Sequence, residues 1–148
     1  VIDVDDGRHN EAQNRSLAHA ILRFTLGINI CLHGVQRFPI LAGFAGGVIK
    51  QFDGILPAAI VAPYADALPF VEAIVGLLLI VGVAGRPTLV VGALLMASLT
   101  FGTALRGQHD VLAEQLGYEL VYFALLATLS WDRFSLDALM ARRRLASR

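Results

Sequence analysis

The sequence predicts an all-α integral membrane protein, a four-helix transmembrane bundle with both termini in the cytoplasm. Three observations carry that expectation. The composition is 56% hydrophobic and 16% charged, against about a quarter charged in a soluble domain, and the mean hydropathy is +0.64. The run from Leu68 to Arg86, LPFVEAIVGLLLIVGVAGR, carries one ionisable side chain before its terminal arginine, Glu72. A stretch of roughly 20 such residues crosses a bilayer as a helix. Basic residues gather after the last apolar segment, at Arg133, Arg142, Arg143, Arg144 and Arg148, and such a bias marks the cytoplasmic side.

Residues 1–15, VIDVDDGRHNEAQNR, are polar and lack the apolar core of a signal peptide; they are expected to form a short mobile tail. Helix one is expected from Ser16, an N-cap residue by type, to Arg37. It is the most polar segment, with His19, Arg23, Asn29 and His33. Asn29, His33 and Arg37 recur every fourth residue and so stay near one helix face. Phe38 to Ala67 is broken by Pro39, Gly43, Gly46, Gly47, Gly54, Pro57 and Pro63. It reads as a long connection of the kind that often covers a site, with one or two helical turns at Gly47 to Phe52.

The second segment is Leu68 to Arg86, with Pro69 in its first turn, where proline is tolerated, and with Gly82 and Gly85 at its end. Arg86-Pro87 then makes a tight hairpin into the third segment, Pro87 to Leu105. There Ala93 with Ala97, and Ser98 with Gly102, permit close helix approach. Arg106 to Glu114 reads as a polar loop and Gln115 to Trp131 as the fourth span. Residues 16–132 thus form the membrane domain. Residues 133–148 form a basic amphipathic tail, whose Arg142, Arg143 and Arg144 are expected to bind anionic lipid headgroups.

Net charge is zero, which gives no case for nucleic acid. The single cysteine, Cys31, excludes an intrachain disulfide and a Cys-rich metal site; neither a metal nor a covalently bound cofactor is expected. His19 and His33 sit at opposite ends of one helix and His109 in a loop, a poor arrangement for paired haem ligands. There is no phosphate-binding glycine motif and no nucleophile elbow.

Glu72 is the informative residue. A carboxyl in hydrocarbon costs about 2.5–3.5 kcal/mol on insertion scales and faces the bundle interior. Counting depth at about 1.5 Å per residue puts Asn29, His33, Arg37, Glu72, Arg106, Glu119 and Tyr122 in the outer third of the membrane, as one candidate site. Two readings stay open. In one, the carboxylates pair with Arg37 and Arg106 and only tie helices together. In the other, these residues line a polar pocket that binds a quinone headgroup and moves protons through Glu72 or Glu119. Arg23, rotated away from His33, is read as a structural charge that snorkels or meets Asp132.

The residues also resemble a family. Arg23, then His33-Gly34 with Arg37, then Glu72 with Gly76 and the run GLLLIVGVAGR to Arg86, then Glu119, are similar in order and spacing to the DoxX-like membrane proteins, which include the DoxD-type subunit of thiosulfate:quinone oxidoreductases. The resemblance covers residues 17 to 132. It implies a membrane subunit of a quinone-linked oxidoreductase complex, in a bacterial or archaeal inner membrane, that anchors a redox protein subunit and contributes a quinone or proton site. The alternative is a structural or assembly subunit of a larger membrane complex, without catalysis of its own.

Overall fold

The computed structural model describes residues 4–147, with side chains from Gly7 onward. Helix α1 runs from Val4 to Val35, and a short 3-10 turn at Phe38–Ile40 leads into α2, Leu41–Gln51. Helices α3 (Ala58–Val81), α4 (Gly85–Leu105) and α5 (His109–Ala127) follow, then a 3-10 turn at Leu129–Trp131 and α6, Leu136–Ala146. The described residues are all-α. Three stretches are long and apolar enough to cross a membrane: residues 7–51, which hold α1 and α2, then α3 and α4. By helix composition this is a multi-pass membrane protein. Helix α5 falls short of that standard because Asp110, Glu114 and Glu119 lie within its nineteen residues.

Several boundaries differ from the sequence reading. The segment before Ser16 is not a loose tail over its described part: α1 has 32 residues, about 48 Å at 1.5 Å each, against a hydrocarbon core of about 30 Å. Its polar first turns therefore extend the membrane helix as one rod. Ser16 is no N-cap; it is buried in mid-helix and its Oγ donates to the Ala12 carbonyl at 2.9 Å. The long connection holds α2, and α3 begins ten residues ahead of Leu68, running through Pro63 and Pro69. Proline is tolerated inside membrane helices because neighbours satisfy the freed carbonyls. The hairpin falls at Gly82 to Ala84, with Gly82 in the left-handed region at φ 72°, so Arg86-Pro87 already belongs to α4. The 106–114 loop shrinks to three residues, because His109 and Asp110 open α5.

Helix α1 packs chiefly on α3, and α4 on α5. The α1–α3 seam is set by glycines. A Cβ on Gly34 would run into the backbone of Pro69 and Ala73, and one on Gly76 into the backbone of Cys31. Across the middle, Leu26, Ile30, Val75, Leu79, Leu89, Met96, Tyr122 and Leu125 form one apolar core. The outward faces stay apolar: Ile21, Phe24 and Ile28 on α1, Ile74 and Leu77 on α3, Leu94 and Phe101 on α4, Leu120 and Phe123 on α5. Soluble proteins do not leave so much contiguous apolar surface uncovered. The tail folds back on the bundle. Ser135 caps α6 by accepting from the Ala138 amide at 3.1 Å, and the Gly85 amide donates to Asp137 Oδ2 at 3.0 Å. Both ends of the described chain lie at the same end of the bundle, since Arg15 of α1 stacks on Trp131 just beyond α5.

Candidate functional site

The end of the bundle away from the termini holds a cavity of about 340 Å³. The C-terminal turns of α1 supply Asn29, Ile30, His33 and then Arg37 beyond the helix. Helix α3 adds Tyr64, Leu68 and Glu72; α4 adds Met96, Ser98, Leu99, Gly102 and Thr103, with Arg106 following it. Val111, Glu114, Gln115 and Tyr118 close the wall from α5. Helix α2 lies over the chamber with Phe44, Val48 and Gln51, one face at i, i+4, i+7, and Phe52 follows.

Glu72 is buried, and its Oε2 accepts from Arg37 Nη1 in an ion pair. The pair joins the end of α1 to the middle of α3. The Arg37 guanidinium also lies 4.6 Å from the Phe44 ring centroid, a cation–π contact that ties the lid to the same charge. Arg106 makes no ion pair with Glu72 or Glu119. Its Nη1 donates to Gln51 Oε1 and its guanidinium sits 5.1 Å from the Phe52 ring centroid. The two arginines thus hold the two ends of the α2 lid. Tyr118 donates to Asn29 Oδ1 at 3.1 Å. Tyr64 meets Ser98 Oγ at 2.7 Å; because Ser98 donates to the Leu95 carbonyl, the tyrosine is the donor. His33 is exposed on the rim and donates from Nδ1 to the Asn29 carbonyl at 2.9 Å, which leaves Nε2 directed away from its own helix. Gln115 Oε1 is a buried acceptor with no protein partner.

Of the residues expected at the site, Asn29, His33, Arg37, Glu72 and Arg106 do meet. Glu119 and Tyr122 do not line the cavity. Val111, Glu114, Gln115 and Tyr118 follow an i, i+3, i+4, i+7 face, which turns Glu119 about 100° aside. Tyr122 lies one turn deeper on that face and is buried in the core against Gly92. Arg23 does not snorkel or pair with Asp132. It donates to the carbonyls of Leu79 and Ile80 and, at 3.1 Å, to that of Phe134. The sequence reading missed Gln51, Phe44 and Phe52 because α2 was read mostly as loop; their helical spacing was the signal. Among the described residues no cluster of three metal-binding side chains occurs.

A family model described as methylamine utilisation protein MauE matches residues 15–111. No curated protein and no solved structure matches the chain. The MauE match overturns the resemblance to the DoxX-like proteins, and the quinone expectation that leaned on it loses that support. The residues behind the resemblance have a structural cause: Gly34 and Gly76 permit the α1–α3 crossing, Arg37 and Glu72 pair across it, and Arg23 braces the far end of α3. Close crossings and paired charges are demands of membrane-helix packing, so they do not tell one such family from another.

Proposed function

The chain belongs to the MauE family, and from that premise we propose that it is a membrane-embedded component of methylamine utilisation whose chamber receives an amphipathic organic ligand. The observation that carries this reading is the chamber's composition. Polar groups from several elements, among them Asn29, His33, Arg37, Glu72, Arg106 and Gln115, share the lining with the apolar side chains of Ile30, Leu68, Met96 and Leu99. Cavities of about 300–1,000 Å³ with a few convergent polar groups are the usual form of a small-molecule site. The unpartnered Gln115 Oε1 supports a donor on the ligand, and the two arginines support a carboxylate or carbonyl.

In this reading α5 is a fourth span, its Asp110, Glu114 and Glu119 near the chamber end, and both termini are cytoplasmic because Arg133, Arg142, Arg143 and Arg144 follow that last span. A role as an assembly subunit is the second reading. The Arg37–Glu72 pair favours it, since a carboxylate already held by an arginine ties helices rather than relays protons. The two readings separate by filling the chamber. Leu99→Trp puts an indole into it, whereas Leu94→Trp puts one into lipid. In a host relying on this protein for growth on methylamine, Leu99→Trp is expected to reach the membrane in normal amount and abolish growth, and Leu94→Trp to support it. Growth with Leu99→Trp would remove the ligand and leave the assembly role. Affinity purification in mild detergent then identifies the protein subunits it joins.

A further inference from the structure

A second cavity, of about 140 Å³, lies at the opposite end of the bundle. It is lined by Arg8, Glu11, Ala12, Arg15 and Ser16 of α1 and by Ser130, Trp131 and Arg133 across from them. We propose that this cleft is a binding site for the phosphate of an anionic phospholipid, distinct from the chamber. Three arginines face one small space, and among the described residues the only carboxylate lining it is Glu11. Glu11 is occupied, accepting from Arg15. The Arg142 side chain adds to the same patch, its Nη2 reaching the Arg133 carbonyl at 3.5 Å.

The position argues for a lipid rather than free phosphate. Trp131 is half-exposed at the end of α5, and the Arg15 guanidinium stacks over it at 5.5 Å. Tryptophan at a helix end sits at headgroup depth. The exposed stripe Leu116, Leu120 and Phe123 runs down α5 toward that end, so an acyl chain from a phosphate held here has an apolar face to follow. The α1 rod explains how the cleft exists: its first turns project past the bundle and carry Arg8 and Arg15 to the level of Arg133. Sequence alone pointed instead to Arg142, Arg143 and Arg144. None of these lines the cleft; Arg142 alone reaches its edge, at the Arg133 carbonyl.

The test is native mass spectrometry of the full chain released from nanodiscs containing phosphatidylcholine with phosphatidylglycerol. The wild type is expected to retain phosphatidylglycerol selectively. Arg15→Gln with Arg133→Gln is expected to cut that retention about 30-fold, from the usual increment for two basic residues near an anionic surface. Arg143→Gln with Arg144→Gln is expected to leave it nearly unchanged. Glu11→Gln, which frees Arg15, is expected to raise retention, and it keeps the test decisive if the double arginine variant fails to fold. Unchanged retention in the Arg15/Arg133 variant, loss only in the Arg143/Arg144 variant, or reduced retention in Glu11→Gln would overturn the site. Displacement of the lipid by inorganic phosphate would overturn its assignment to a lipid.

Discussion

Arg23 within α1 and Arg37 just beyond it meet α3 at opposite ends of the bundle, the first buried and the second a quarter exposed, and each is stabilised differently. Arg23 ends on backbone oxygens. Leu79 and Ile80 belong to the last turn of α3, where carbonyls have no partner within the helix and the helix dipole is negative. Arg23 therefore acts as a C-terminal brace supplied from another helix, and its bond to the Phe134 carbonyl fastens the returning tail to the same charge. Arg37 instead ends on a carboxylate, Glu72, part-way along α3 and beside a cavity. Only one of these two charges is structural by necessity. The carbonyls that Arg23 caps exist in any sequence that ends a helix there, so the brace only closes the bundle. The Glu72 carboxylate is an added cost, and it stands where five elements leave space.

Substitutions at the two ends differ widely in their expected effect. The severest is Gly34→Val, which forces α1 off α3 and takes both arginines from their partners. A loss above about 4 kcal/mol is expected, read as absence of folded protein in detergent. Arg23→Met comes next, at about 3 kcal/mol, because charge-assisted bonds to three carbonyls are lost at once; thermal unfolding measures it. Glu72→Gln should cost less, about 1–2 kcal/mol, since Arg37 is a quarter exposed to the chamber and water there offsets part of the usual cost of an orphaned charge. If Glu72→Gln destabilised more than Arg23→Met, the chamber end would be the brace and the comparison would be reversed. The double variant Arg37→Gln/Glu72→Gln sharpens it further, with stability expected back within about 1 kcal/mol of wild type. The smallest effect is expected for Tyr64→Phe, about 0.5–1 kcal/mol for a half-exposed hydrogen bond to Ser98, seen as a minor shift in the same unfolding curve.

How much of this was legible in the sequence follows from the signal each element carries. Glu72 stood out because one carboxylate in an apolar run must have a partner, and Arg37, basic and on the Asn29–His33 face, was a sound candidate for it. The membrane character was legible because long apolar runs leave few alternatives, and Gly82 marked the end of α3, but the hairpin was expected at Arg86-Pro87, four residues beyond the left-handed stop where it falls. The extension of α1 was not, because residues 4–15 have no apolar periodicity and are helical as a continuation of a helix already formed, which is cheaper than starting one. Helix α2 hid behind its glycines, although Phe44, Val48 and Gln51 share a face. Glu119 and Tyr122 were misplaced by starting α5 six residues late, which obscured that Gln115 and Tyr118 face the chamber. The family was misread because the motifs used were those any tight α1–α3 crossing requires.

The Arg37 end of the bundle borders an open chamber, whereas the layer at Arg23, His19 and Thr128 is closed. Thiol accessibility tests this contrast most directly. With Cys31 replaced by Ser, single Gln115→Cys and Thr128→Cys variants are placed in membrane vesicles of both orientations and exposed to an impermeant maleimide. Gln115 lines the chamber, whereas Thr128 is held between His19 Nδ1 at 2.9 Å and the Ala124 carbonyl at 2.7 Å. Labelling of the Gln115→Cys thiol is expected from one side of the membrane only, and none of the Thr128→Cys thiol from either side. Protection of the first, or labelling of the second at a comparable rate, would contradict it.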